Sequence, residues 1–65
     1  MNVEYYINND DQYDLVYTAI DHAGHIPNAN QIVYLGVEVD ERDYPFMVDQ
    51  VHWYIKKNIA KVFLK

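Results

Sequence analysis

Residues 43–63, Asp-Tyr-Pro-Phe-Met-Val-Asp-Gln-Val-His-Trp-Tyr-Ile-Lys-Lys-Asn-Ile-Ala-Lys-Val-Phe, decide how the chain is read. Tyr44, Met47, Val48, Val51, Tyr54, Ile55, Ile59 and Val62 recur at the i, i+3, i+4, i+7 spacing of a core-facing helix. Asp40, Glu41 and Asp43 precede this run, and Pro45 fits a first helical turn. Lys56, Lys57, Lys61 and Lys65 lie toward its end, the favourable sign for a helix C-terminus. The spacing predicts a long amphipathic helix from about residue 43 to about residue 63.

That helix would carry a second apolar stripe almost opposite the first. Phe46, Trp53 and Ala60 recur every seven residues, and Leu64 follows, with Asp49, Lys56 and Lys57 at the flanks. Burying one Phe-sized side chain is worth about 1.5–3 kcal/mol. A single small layer covers only one side of a helix. Phe46, Trp53 and Leu64 are therefore expected at an interface, with a partner or with a second copy, since large aromatics are the usual anchors there. The alternative is that a neighbouring helix of the same chain covers Phe46 or Trp53.

Working back along the chain, residues 31–39 alternate. Val33, Leu35, Val37 and Val39 form one apolar face and Ile32, Tyr34, Gly36 and Glu38 the other, which predicts a strand. Residues 24–30 read as a loop. Residues 11–23 sort poorly as a strand and better as a helix, with Tyr13, Leu15, Val16, Ala19, Ile20 and Ala23 on one side. His22 in the last turn, Gly24 just after it and Pro27 beyond agree with a helix end. A strand remains the alternative for this segment. Residues 1–8 alternate Met1, Val3, Tyr5, Ile7 against Asn2, Glu4, Tyr6, Asn8 and read as a strand, which Asn8-Asn9-Asp10-Asp11 ends with turn chemistry. The expected fold is α+β in the order β-α-β-α: a single layer of two strands, or three, covered by helices, in one domain over residues 1–65. Two strands stand poorly alone, and open sheet edges invite another chain.

Composition removes most chemistry. The chain has 65 residues, no Cys and no Ser, and Thr18 is its one Thr. Disulfides, thiolate metal sites and the commonest nucleophiles are absent. No run approaches the ~18 apolar residues of a membrane span, and no basic start followed by an apolar run opens the sequence. A cytoplasmic protein is the expectation. Gly24 and Gly36 are the only glycines, so no phosphate-cradling loop is present. His22, His25 and His52 lack the spacing and the partners of a zinc site. The carboxylate groups at Asp10-Asp11 and Asp40-Glu41-Asp43 sit in polar sequence, where capping and solvation explain them. No catalytic residue, metal or cofactor is expected, and the chain reads as a non-enzyme.

Charge is unevenly spread. Ten acids and only Arg42 occupy residues 1–49, whereas residues 50–65 hold four Lys and no acid. Asp10, Asp11, Asp14 and Asp21 define an acidic surface. Tyr6 and Tyr34, with Glu4, Ile32 and Glu38, would face outward from the sheet as a second binding surface, because Tyr combines apolar bulk with a wet hydroxyl. The leading reading is a small acidic protein-binding module, a homodimer, and an inhibitor that occupies a basic site on a host protein. Small acidic domains without catalytic equipment are common among phage and mobile-element inhibitors, an analogy of composition alone. The alternative is a nucleic-acid accessory protein using the Lys-rich end, where Trp53 and Tyr54 lie near Lys56 and Lys57; a net charge of −5 weighs against it.

Overall fold

In the computed structural model, which describes residues 1–36 and 42–65, every regular element is a strand. These are β1 (Asn2–Asn9), β2 (Gln12–Ala19), β3 (Ile32–Leu35), β4 (Tyr44–Tyr54) and β5 (Ile59–Leu64). They form one sheet in the order β2-β1-β5-β4-β3, curled into a half-barrel. Neighbours are antiparallel except β1 and β5, which run parallel at the centre.

The α+β expectation is overturned. The segment read as a C-terminal helix is a β-hairpin: β4 and β5, joined by Ile55–Asn58. Asn58 closes the turn by donating its N–H to the Ile55 carbonyl at 3.2 Å, with its own φ at +57°. Asn tolerates that left-handed conformation better than most residues. The segment read as a first helix is β2, the alternative weighed for it. Asp10 and Asp11 both have positive φ, +51° and +65°, the backbone of a two-residue hairpin turn whose twist matches its strands. The turn expected after residue 8 is thus present, but it starts a strand. His22 caps no helix; its N–H donates to the Met1 carbonyl at 2.7 Å. The strand expected over 31–39 is present as β3. The readings of Val37, Glu38, Val39, Asp40 and Glu41 lie outside the described residues.

Both misread segments contain a β-bulge. In β2 the register against β1 skips Val16, and in β4 the register against β5 skips Asp49. Each extra residue reverses the alternation, so inner positions run 44, 46, 48, then 51 and 53. The resulting gaps of two and three imitate helical spacing. Pro45 is tolerated because β4 there extends past β5 and pairs with β3 alone.

Cross-strand register sets three rows on the inner face: Ala19–Val3–Ala60–Trp53, Tyr17–Tyr5–Val62–Val51 and Asp14–Ile7–Leu64–Val48. Val3, Tyr5, Val48, Ala60, Val62 and Leu64 are buried and form the core, with Met1, Ile7, Ile26, Val33, Leu35, Phe46 and Val51 packed against it. The connection between β2 and β3 carries Ile26 and the buried Pro27 onto this face. It is tied at one end by Asp21 N–H to Asn2 Oδ1 (3.1 Å) and at the other by Asn30 N–H to the Val48 carbonyl (2.8 Å).

Leu64→Ala is expected to cost about 2–5 kcal/mol, as buried Leu truncations do, whereas Trp53→Ala, at a half-exposed position, is expected to cost less than half as much. Urea unfolding followed by far-ultraviolet circular dichroism measures both; equal losses would contradict the burial pattern.

Candidate binding surfaces

Two surfaces stand out, and neither is the stripe expected from a helix. The first is the free edge of the sheet at β2. This strand pairs with β1 on one side, and no other described strand pairs with it. It is exposed along most of its length on both faces. Leu15 is 53% exposed, Tyr17 52%, and Ile20 just beyond it 73%; Tyr13 and Val16 are also exposed. Tyr13, Leu15 and Thr18 share the outer face, while Asp14, Tyr17 and Ala19 share the inner. An edge of eight residues with large apolar groups on both sides is a template for strand pairing.

Carboxylates flank that edge. Asp10 and Asp11 occupy the turn before it, Asp14 lies on it and Asp21 follows it, all exposed. Asn9 Nδ2 donates to Asp14 Oδ2 at 3.2 Å, which holds one of them beside the turn. Residues 10–21 contain no Lys or Arg. The curl of the sheet turns Tyr17 of β2 and Tyr34, Leu35, Gly36 and Asp43 from the opposite end into one groove of about 300 Å³.

The second surface is the outer face over β1, β5 and β4. Phe63 sits at its middle. Tyr6 stacks on it at 5.2 Å between ring centroids, Tyr13 meets it edge-on at 4.9 Å, and His52 lies at 4.7 Å. Lys61 lies over both Tyr6 (5.5 Å) and Tyr54 (4.9 Å), and Lys57 over Tyr54 (5.8 Å). Tyr6 donates its hydroxyl to Glu4 Oε1 at 2.7 Å, and Lys61 Nζ stands 4.0 Å from the same oxygen. The rings use their faces and edges on one another, so the cluster works as a small outer core that supports the strands through cross-strand pairs.

The residues singled out from sequence are scattered by this arrangement. Leu64 is fully buried in the core and offers no docking surface, and Phe46, half-buried, packs against that core. Trp53 is half exposed at the end of β4. Tyr6 is half-buried in the outer aromatic cluster. Tyr34, 66% exposed, is on the same face but three strands away, beside the groove. Tyr13 and Leu15 were read as part of a helix face and Tyr17 was assigned to no surface, so the edge was missed; the two-residue Asp10-Asp11 turn between alternating segments is the signal that marks it. Among the described residues no three His, Cys, Asp or Glu side chains converge on a point. His22 Nε2 lies 3.0 Å from the His25 carbonyl and His52 Nε2 lies 2.8 Å from Gln50 Oε1. No described helix is long and apolar enough to cross a membrane. No family model, curated protein or solved structure matches this chain.

Two phenols are held in their neutral form. The hydrogen bond to Glu4, then burial, raises the Tyr6 pKa above its ordinary 10.0, and burial followed by the nearby Tyr17 raises that of Tyr5. A raised phenol pKa contributes stability below pH 10 that is lost as pH rises through the folded value. Absorbance at 295 nm during alkaline titration is therefore expected to show a late-ionising fraction, reduced in Tyr6→Phe. A single transition near 10, unchanged by that substitution, would contradict it.

Proposed function

We propose that this chain acts by binding another protein and not by catalysing a reaction. The observation that carries the reading is the β2 edge: an eight-residue strand paired on one side only among the described residues, with Leu15, Tyr17 and Ile20 exposed beside it. Exposed apolar groups along a free strand are what β-strand addition uses, the backbone supplying affinity and the alternate side chains selectivity. The chain's acidic character supports the further reading of an inhibitor that occupies a basic site, with charge speeding the encounter. The homodimer expected from the sequence is the competing occupant of this edge, and the carboxylates at residues 10, 11, 14 and 21 weigh against it.

Nucleic-acid binding is the second reading, and Lys57 and Lys61 beside Tyr54 favour it. It is the weaker, because Lys61 is shared with Glu4 and the Tyr6 and Phe63 rings are stacked on each other instead of open to a base.

The test compares wild type with Leu15→Lys/Tyr17→Lys, exposed positions where a folded variant is expected and is checked by circular dichroism. Both are immobilised and offered nuclease-treated lysate of the source organism. Wild type is expected to retain at least one protein that the variant releases. An identical retained set, or retention that disappears with nuclease, would overturn the reading.

A further inference from the structure

We infer that the β2 edge takes an extended basic segment of a partner protein, added as a sixth strand. This deepens the protein-binding reading and rests on it. Three observations choose the occupant. No other described strand pairs with this long edge, so an extended chain fits it where a helix would leave its backbone groups unpaired. The side chains along it are apolar on both faces, so the incoming strand gains by placing apolar groups beside Leu15 and Tyr17. Asp10, Asp11, Asp14 and Asp21 surround it with no Lys or Arg anywhere in residues 10–21. Asp43 in the groove beside Tyr17 adds to the same sign.

The charges also argue against a second copy at this site. An antiparallel β2–β2 pair would bring two sets of four carboxylates together with no base on either edge, and like charges across strands are destabilising. A strand carrying Lys or Arg reverses that sign at every position. The bulge at Val16 divides the free edge, so the added strand makes two short ladders, over Gln12–Leu15 and over Tyr17–Ala19. Side-chain charge then contributes a larger share of the affinity than it would along an unbroken ladder.

The experiment titrates the full chain with two labelled octapeptides, one alternating Lys with Val and one alternating Glu with Val, by fluorescence anisotropy at about 20 and 150 mM salt. The Lys peptide is expected to bind at least tenfold tighter than the Glu peptide, to weaken severalfold at the higher salt, and to slow amide exchange in β2. Asp10→Asn/Asp11→Asn/Asp14→Asn is expected to weaken it at least fivefold; Asn keeps the positive-φ turn, so the fold is retained. Equal binding of both peptides, or protection confined to the outer aromatic face, would overturn the inference. So would a β2-dependent dimer seen by light scattering without peptide, which would make a second copy the occupant. If the peptides are not distinguished while edge-dependent capture of a protein persists, this inference falls and the protein-binding reading stands. If capture does not depend on the edge, the reading itself falls.

Discussion

The parallel pairing of β1 with β5 holds this molecule together. Val3 lies beside Ala60, Tyr5 beside Val62 and Ile7 beside Leu64, and five of the six buried core residues come from these two strands. Everything else hangs on that centre: β2 is attached through β1, and β3 and β4 through β5. The pairing joins strands more than fifty residues apart, so its loop-closure cost precedes any reward. Local hairpins can form first on either side, but neither has a core until β1 and β5 meet.

A lone sheet has two faces to protect, and this one treats them differently. The inner face is closed by curling and by the Ile26–Pro27 connection. The outer face is closed by side chains alone, with Phe63 surrounded by Tyr6, Tyr13 and His52, and with Lys61 over the Tyr6 ring. The Glu4–Lys61 pair follows from the cross-strand row that puts Glu4 directly beside Lys61, and the Tyr6 hydroxyl reaches Glu4 from the next row on the same face. Such partly exposed ion pairs contribute little by themselves; here their use is to keep polar groups satisfied above an aromatic cluster.

Strand β1 was legible because its alternation is unbroken from Val3 to Ile7, and β3 because Ile32–Leu35 is β-branched and aromatic in period two. The outward placement of Tyr6 and Tyr34 was legible for the same reason. The helices were false because period is measured across a segment, and the skipped residues Val16 and Asp49 shift the phase in its middle. A bulge is a property of a pair of strands; one strand's sequence shows only the disturbed alternation. The two apolar stripes assigned to one helix were the inner faces of β4 and β5 mixed with their outer faces, folded back at Ile55–Asn58. Leu64 looked surplus because its burial depends on the pairing of β5 with β1 and β4, which no single segment of sequence displays. The acidic residues were legible as a set, yet their common position along one free edge required the register of β2.

The two edges of the sheet are guarded by different means. Among the described residues the edge at β3 is four residues long. The edge at β2 is twice as long and apolar, and is guarded by a bulge and by carboxylates. Charge is a selective guard where shortness is not. A short edge refuses every partner alike, whereas an acidic edge repels its own copy and admits a strand of opposite sign. If the carboxylates served only to prevent aggregation, Lys in the same places would do as well, and the chain has Lys to spare only beyond residue 55. Four acids with no base over residues 10–21 set a sign as well as a barrier.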